Sequence, residues 1–552
     1  MAAAALATLL AGCGQVGSGS NNLFGGGGAR EALTAPDAVR LAKQASFGPT
    51  KELVDRIQTA KLSGWLEEQF AATGSSYADL TQRTGVVNRC NALTGQDATN
   101  CNRDYRSATP VQMRFYADAM TQPDQLRQRV AYALSQLLVA SDVEVNSTAG
   151  TATLQQIFLD NAFGNYRDIL KAVTLNPYMG DYLDMANSSR TAPNENYARE
   201  LMQLFSMGVD RLNMDGTPAR DAQGALVANY TPDDVKGVAR ALTGWTYARL
   251  NGAALTDNNS LDYSRPMVVN TAIYDTAAKS FLGASVAANA TPDASLDAVV
   301  TAVFQNTSTA PYVSRHLIQQ LVASNPSPAY VGRVAAVFAN NGSGVRGDLK
   351  AVVRAILTDA EARGDFKAGA SDGKVKEPTL LLTSLGRLLG FKSDGYAFLT
   401  RDAGIGQQPF KPPSVFNFYP PDYPLAQSTG GLLSPQSKLI TTGTVLGRHN
   451  LFYDWTVAGD TRTEYAAQAV IPGATGTTAD WAPWEAFGTD TEGLLDRIDL
   501  LLLNRTMTAA QRNALRTAVT AVTNANAALQ ARRRAQTALY VVGSSPQFQI
   551  DR

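Results

Sequence analysis

The sequence predicts an all-α protein, a mainly helical multi-helix domain with long irregular loops and at most a short β-hairpin. Apolar residues recur at the three- and four-residue spacing of a helix in most segments after Pro36. The alternation of apolar and polar residues that marks a half-buried strand is scarce. We find neither an internal repeat nor a separating linker after residue 30. The stretch 34–552 is therefore expected to form a single large helical domain.

The helical spacing places helices along most of this stretch. The predicted helices are 36–46, 50–60, 63–71, 126–140, 152–162, 166–175, 309–323, 328–340, 346–359, 377–390, 434–457, 491–503 and 508–541. The segment 249–292 has no clear period, and a short hairpin is expected around Met267–Ile273.

The N-terminal residues 1–13 are small and apolar and end in Leu10-Ala11-Gly12-Cys13, a tetrad that resembles the lipobox of bacterial lipoproteins. In that motif the cysteine is lipidated and becomes the new N-terminus. The positive charges of a complete signal are missing, so an ordinary apolar leader with a chance cysteine is the alternative. Residues 14–33 form a Gly/Ser-rich tether. The sequence thus predicts an exported envelope or periplasmic protein, membrane-anchored through Cys13 or secreted.

Two further cysteines, Cys90 and Cys101, lie in a polar stretch. In an exported protein they are expected to form a disulfide that closes a short loop, contributing about 3 kcal/mol to stability. A pair of free thiols in a cytoplasmic protein is the alternative.

Charge and histidine content exclude several function classes. Lys plus Arg and Asp plus Glu both number 48, giving a net charge of zero, and no basic block is long enough to suggest a nucleic-acid partner. The two histidines, His316 and His449, are too few and too far apart for a histidine-rich zinc or copper site. His316 is expected to be a structural histidine within a helix. Neither a nucleophile elbow with a usable histidine, nor a phosphate-binding loop, nor a zinc-protease motif is present.

Polar residues are concentrated between Asp181 and Tyr247, beginning with a helix that Pro193 is expected to start and Gly208 to end. The helical wheel places Asn196 and Glu200 on one side of a buried face. On the other side it places Glu195 and Arg199, four residues apart, where they can form an ion pair.

A second helix is expected to follow Thr231 as N-cap, with Pro232 first and Asp233 in the first turn, where the helix dipole favours negative charge. Arg240 lies beside its apolar stripe, so Glu200 and Arg240 are predicted to meet between the two packed helices. One interpretation is a buried structural ion pair. A second is a polar or metal site, using residues of the central stretch, and a third is that these residues only cover the surface. The candidate residues of the polar or metal site are Asp184, Asn194, Glu195 and Glu200.

These residues also carry a resemblance to a known family. The string Pro193-Asn-Glu-Asn-Tyr-Ala-Arg-Glu-Leu-Met-Gln-Leu-Phe-Ser-Met-Gly208 resembles the signature of the bacterial family catalogued as domain of unknown function 1800. The other family-like pieces are Ala45-Ser-Phe-Gly-Pro-Thr50, Leu126-Arg-Gln-Arg-Val130, Tyr230-Thr-Pro-Asp-Asp-Val235, Ala239-Arg-Ala-Leu-Thr-Gly-Trp245, Pro413-Ser-Val-Phe-Asn-Phe-Tyr419 and Ser545-Pro-Gln-Phe-Gln549.

The resemblance implies a large, mainly helical, usually exported bacterial protein without an established activity. It also implies a partner, because genes of the family often lie beside those of envelope proteins resembling sulfatases and alkaline phosphatases. One departure is clear: Tyr274-Asp275 stands where the family pattern leads us to expect His-Asp. No role of that histidine can be transferred to this chain.

The proline-rich loop 401–425 contains Phe416, Asn417 and Tyr419, which are candidate binding residues. Its prolines exclude a regular helix. Aromatic side chains on such a stiff loop can stack on sugar rings or anchor a partner, or they can fill the core between helices.

Two function classes remain open. The first is a scaffold or accessory protein that acts with a neighbouring envelope enzyme. The second is a carboxylate-dependent hydrolase of an envelope or environmental polymer such as a polysaccharide, in which Glu195 or Glu200 works with Asp184 or Asp233 as acid and base. Arg240 belongs to the same candidate set. Ca²⁺ held by carboxylate and amide oxygens is the metal alternative. Its candidate ligands are Asp184, Asn187, Asn194 and Glu195.

Overall fold

The computed structural model describes most of the chain after the predicted tether. The described residues are 31–84, 90–257, 260–365, 367, 369, 371–426, 428, 430–458 and 475–552. Cys13, the predicted leader 1–13 and residues 14–30 of the tether lie outside this part, so the lipidation of Cys13 stays a prediction.

The described part is mainly helical, which confirms the predicted fold class. The first helices are α1 Ala35–Ala45, α2 Lys51–Ala71, α3 Ala78–Thr81, α4 Gly95–Tyr105, α5 Thr109–Thr121, α6 Gln125–Ser135, α7 Thr148–Asp160, α8 Tyr166–Thr174, α9 Pro177–Tyr182, α10 Asn196–Gln203 and α11 Pro232–Ala241. The remaining ones are α12 Pro292–Gln305, α13 Thr309–Leu321, α14 Pro328–Ala339, α15 Leu349–Thr358, α16 Pro378–Leu388, α17 Tyr396–Leu399, α18 Thr442–Phe452, α19 Ala482–Glu485, α20 Thr491–Leu503, α21 Ala509–Thr520 and α22 Ala527–Gly543.

The short strands form two-stranded antiparallel sheets. They are β1 Trp245–Thr246, β2 Ala248–Arg249, β3 Leu261–Asp262, β4 Val268–Val269, β5 Lys279–Phe281, β6 Ala284–Val286, β7 Lys374–Val375, β8 Lys392–Ser393, β9 Thr477–Thr478 and β10 Ile550–Asp551. The pairs are β1 with β4, β2 with β3, β5 with β6, β7 with β10 and β8 with β9.

The hairpin predicted around Met267–Ile273 is wrong, because β4 pairs with the distant β1. The local hairpin is formed by β5 and β6 instead. Leu282 and Gly283 connect these strands, and both have positive φ. Two positive φ values in a two-residue connection are typical of the tight turns that match the strand twist.

One predicted helix boundary is confirmed, and others need correction. The break between the predicted helices 50–60 and 63–71 is confirmed, because Lys61 within α2 has a non-helical backbone with positive φ that separates two helical segments. The predicted helix 508–541 is divided into α21 and α22, because the Asn526 side chain accepts a hydrogen bond from Leu529 N and starts a new helix. The predicted helix 434–457 consists of a 3₁₀ turn, α18 and a π turn at Tyr453–Val457.

A single contiguous set of buried apolar side chains includes residues from Leu33 to Phe548. Helix stripes supply it, and the stripe predicted on α11 is confirmed: Val235, Val238 and Leu242 are at most 2% exposed. In the part of the chain that the structure describes, we find no helix with the length and apolar character needed to cross a membrane.

Buried charges attach the C-terminal strand β10 to this core. The Asp551 carboxylate lies 2.9 Å from Lys376 Nζ and 3.8 Å from Lys43 Nζ, and the two lysine side chains are only 2% and 5% exposed. Burial alone would raise the pKa of the Asp551 carboxyl, but the two ammonium groups hold it below its ordinary value. The chain end is therefore held by an ion cluster with little access to water.

Candidate binding cleft

The turn between α9 and α10 shapes the candidate site. Asp184 and Asn187 both have positive φ, a conformation that Asp and Asn adopt more easily than most residues, and the chain reverses direction there. Helix α10 begins at Asn196 and not at Pro193 as predicted. The Asn194 side chain accepts a hydrogen bond of 2.8 Å from Asn196 N, and this local turn delays the start of the helix.

This turn borders a solvent-accessible concavity of about 620 Å³, which we call the polar cleft. It is lined by Arg83, Thr84, Tyr105, Arg106, Glu144, Val145, Asn146, Ser147, Asp181, Tyr182, Asp184, Asn196, Leu261 and Tyr263. The lining thus combines carboxylates, guanidinium groups, amides and phenols. Of the predicted site residues, Asp184 and Asn196 lie here, and Asn196 Nδ2 donates to Asp184 Oδ2 at 3.1 Å.

Asp181 organises one wall of the polar cleft. Its carboxylate accepts a hydrogen bond of 2.5 Å from Tyr247 OH and another from Tyr263 OH. Burial raises the pKa of both phenols above the ordinary tyrosine value, and the Asp181 charge raises it further. Both phenols therefore remain protonated donors at neutral pH, and they fix the orientation of the carboxylate.

A disulfide supports another wall. Cys90 and Cys101 are bonded, with 5.5 Å between their Cα atoms, as predicted. Tyr105 packs against this disulfide, and Arg106 Nη1 donates to Asn91 Oδ1 at 2.9 Å. Tyr105 and Arg106 are therefore positioned by the segment that the disulfide closes.

Glu200 and Arg240 do not meet, so that prediction is wrong. Arg240 Nε lies 2.7 Å from Asp275 Oδ2, and its Nη2 donates to Ala278 O at 3.2 Å. Arg240 flanks the apolar stripe of α11, and from that position its side chain reaches the 275–278 loop before it reaches α10. Asp275, next to the position where a family-type histidine was expected, is thus the structural partner of Arg240.

Glu200 is a buried carboxyl group without an ion-pair partner among the described residues. The residue is 7% exposed, and its Oε2 has no hydrogen-bond partner among the described residues. Burial raises the pKa of this carboxyl, and the neighbouring Arg199 only partly opposes the rise. Arg199 instead pairs with Glu195 at 3.0 Å, which confirms the predicted i,i+4 pair. Glu200 is the predicted site residue whose environment resembles that of a general acid.

The remaining acid candidate lies outside the cleft, and the metal candidates are bonded to other residues. The Asp233 side chain is 91% exposed and pairs with Lys236 at 3.2 Å on the surface. Of the proposed Ca²⁺ ligands, Asn187 Oδ1 accepts from Thr246 OH, while the other three residues accept from Asn196 or Arg199. Within the described ranges, no group of three or more His, Cys, Asp or Glu residues is arranged to hold a metal ion.

A smaller concavity of about 60 Å³, which we call the Phe416 hollow, lies under the proline-rich loop. It is lined by Gln136, Leu137, Val139, Leu204, Tyr312, His316, Gln319, Gln320, Val415, Phe416, Asn417, Tyr419, Pro420, Pro421, Pro435 and Gln436. Phe416 is 53% exposed, whereas Asn417 and Tyr419 are buried. The loop therefore does both things expected of it: some of its residues fill the core, and one aromatic ring faces solvent.

A buried network holds this loop in place. The Glu377 carboxylate accepts from Gln407 Nε2 at 2.8 Å, Tyr419 OH at 2.9 Å and Gln136 Nε2 at 3.1 Å. Asn417 Nδ2 donates to Gln136 Oε1 at 3.0 Å. The family-like piece at 413–419 is thus tied to the helix that contains the piece at 126–130. Asn417 and Tyr419 act as anchors of the loop.

His316 lies in α13, as predicted, but it is not fully satisfied. Its Nε2 is buried and has no hydrogen-bond partner among the described residues. Burial lowers the pKa of His316 to about 4, so the imidazole at the edge of the hollow is neutral at physiological pH.

Sequence reasoning missed several residues that line or organise these concavities. They are Arg83, Arg106, Glu144, Asp181, Tyr263, Gln136 and Glu377. Glu377 carried a usable signal, since it is a lone acid directly before an apolar helix that starts at Pro378. Tyr263 carried none, because it lies in a segment without a clear period.

The family of the chain follows from a match over most of its length. A family model described as "Protein of unknown function (DUF1800)" matches residues 40–550. The chain belongs to this family. No curated protein and no solved structure matches this chain. The DUF1800 match covers the helices around the polar cleft and the loop over the Phe416 hollow, so both concavities lie within the family domain.

Proposed function

We propose that this DUF1800 protein is an exported, lipid-anchored bacterial envelope protein that holds a hydroxyl-rich ligand in the polar cleft. In this proposal it serves as an accessory to a neighbouring envelope enzyme. The observation that supports it is the chemistry of the cleft, where acceptors and donors of both charges surround about 620 Å³ of accessible space.

The mixed charge of the cleft favours a neutral ligand with many hydroxyl groups. Glu144, Asp181 and Asp184 supply carboxylates, and Arg83 and Arg106 supply guanidinium groups. A ligand of one charge would meet repulsion from part of this lining. Hydroxyl groups donate to the carboxylates and accept from the guanidinium groups, so they complement both.

The proposed location rests on the sequence. Cys13 ends an apolar leader and precedes a tether, which together suit lipidation and outward display. The proposed partner is an envelope protein resembling sulfatases or alkaline phosphatases. We expect Cys13→Ala to move the protein from the membrane fraction to the soluble fraction, as measured by immunoblotting after fractionation. Unchanged partitioning would contradict the anchor.

Ligand binding is tested with the purified protein and envelope polysaccharide in a sedimentation assay. Asp184→Asn is expected to weaken binding because it removes a charged acceptor from the cleft, whereas the exposed Asp233→Asn serves as a matched control. Equal retention of both variants and wild type by the polysaccharide would contradict a role of the cleft.

A hydrolase is the second candidate, and Glu200 is the observation that favours it. Its buried carboxyl with a raised pKa suits proton donation to a leaving oxygen, with Glu144 as the carboxylate that activates water. This candidate predicts release of reducing ends from the bound polymer and its loss in Glu200→Gln. The matched control is Glu195→Gln, since Glu195 is the half-buried N-cap residue of the same helix. Binding without release, in wild type and both variants, would leave the accessory function.

A further inference from the structure

The polar cleft and the Phe416 hollow lie at opposite ends of α10. Asn196 lines the cleft, Leu204 follows the last residue of the helix and lines the hollow, and Glu200 lies between them. These three residues are four positions apart, so they lie along the same face. Asn196 and Leu204 are eight positions apart, which corresponds to a rise of about 12 Å along the helix axis.

A second stretch of chain also lines both concavities. The segment from Gln136 to Val139 lines the hollow, and the segment from Glu144 to Ser147 lines the cleft. Between them Val143 is 60% exposed. Two stretches of chain, α10 with the residue after it and the segment from Gln136 to Ser147, therefore each contribute to the lining of both concavities.

Two tyrosine side chains indicate that Glu200 lies near both concavities. Burial raises the pKa of Tyr182, which lines the cleft, and Glu144 and then Glu200 add to the rise. Burial likewise raises the pKa of Tyr312, which lines the hollow, with Glu200 as the next cause. The Glu200 carboxyl is thus near a phenol of each concavity.

We propose that the polar cleft and the Phe416 hollow are two subsites of one track that binds an extended glycan chain across α10. This inference rests on the proposed function of the cleft and specifies the ligand as a polymer. The cleft hydrogen-bonds the hydroxyl groups of several sugars. The exposed Phe416 ring packs on the apolar face of a distal sugar, since an aromatic face provides a flat apolar surface.

Glycan length separates this inference from simple binding in the cleft. Full-length protein is titrated calorimetrically with chitobiose, chitohexaose, cellobiose and cellohexaose. For the glycan type that the protein binds, we expect the hexasaccharide to bind more tightly than the disaccharide of the same type. Phe416→Ala should weaken the binding of the hexasaccharide roughly tenfold, because it removes an exposed aromatic anchor. The affinity for the disaccharide should stay unchanged. Phe416→Tyr keeps the ring and should restore the affinity.

Leu446→Ala is the matched control, because Leu446 is an exposed apolar side chain on α18, at 60% exposure, that lines neither concavity. Glycans that bind with affinities independent of length and of Phe416 would overturn the track and leave the cleft as a simple site. Absence of binding by all four glycans would overturn the proposed function as well. A polyproline octapeptide whose binding depends on Phe416 would instead assign the hollow to a protein partner.

Discussion

The ion cluster at the C-terminal strand allows a quantitative prediction. Asp551→Asn removes the only carboxylate that lies within ion-pair distance of Lys376 and Lys43 among the described residues. Breaking a buried ion pair from one side costs about 3–5 kcal/mol, because the remaining charge stays out of water without a partner. Burial, and then the charge of Lys376, already lowers the pKa of Lys43 to about 7, so this site has little tolerance for an uncompensated ammonium.

The lost free energy of unfolding, divided by the unfolding entropy, gives the expected decrease in the melting temperature. At about 2.1 cal/mol/K per residue, a chain of 552 residues has an unfolding entropy of roughly 1.2 kcal/mol/K, so the expected decrease in Tm is about 3–4 °C. Urea unfolding followed by circular dichroism measures the free energy directly. Lys376→Met in the same chain should recover part of the loss, since removing both partners of a buried pair costs less than removing one.

The pH dependence gives a further check. The folded-state pKa of Asp551 is depressed, so its contribution is present above the unfolded value of about 3.9 and is lost as the pH falls through the folded pKa. The difference between wild type and Asp551→Asn should therefore be largest between about pH 4 and pH 7, where Asp551 is ionised and Lys43 is protonated, and decrease below about pH 4. A variant that unfolds at the wild-type urea concentration at pH 7 would refute the assignment of the cluster as a stabilising contact.

Three other predictions concern single side chains. The folded-state pKa of Glu200 is raised, so its burial opposes folding increasingly as the pH rises above about 4.3. Glu200→Gln should remove this part of the pH dependence of the free energy of unfolding. An unchanged pH dependence in this variant would contradict the prediction. His316, with a folded pKa of about 4, should cost stability as the pH falls from about 6.5 towards 4, and His316→Gln should unfold less readily in acid than wild type. Replacing Cys90 and Cys101 by serine should lower the free energy of unfolding by about 3 kcal/mol and weaken glycan binding, whereas a loss of stability with unchanged affinity would separate the disulfide from the cleft.

Much of the fold could be predicted from local patterns. The helix at Pro232–Ala241 follows its N-cap and proline as expected, and Thr231 and Asp234 form a complete capping box. Helix interruptions were harder to predict. The break before Asn526 depends on one side chain that caps the next helix, and the apolar spacing alone continued through it.

The candidate site could be predicted only in part, because its members come from distant segments. Asp184 and Asn196 were found since they lie in the dense polar stretch around α10. Asp181 lies in the same stretch, but its importance comes from Tyr247 and Tyr263, which only the tertiary fold brings to it. The partner of Arg240 was mistaken for a similar reason, since position on a helix gives a direction and does not identify the neighbouring loop.

The disulfide beside the cleft makes the geometry of the cleft depend on the oxidation state of two cysteines. Tyr105 packs on the Cys90–Cys101 bond, and Arg106 is tied to Asn91 within the same closed segment. A newly made chain in a reducing compartment has these residues in its sequence without the bond that positions them. If the protein is exported as proposed, the cleft is completed only when the chain reaches an oxidising compartment. Recombinant protein intended for ligand screening should therefore be produced by a secretory route, since material from a reducing cytoplasm is expected to present an unfinished cleft.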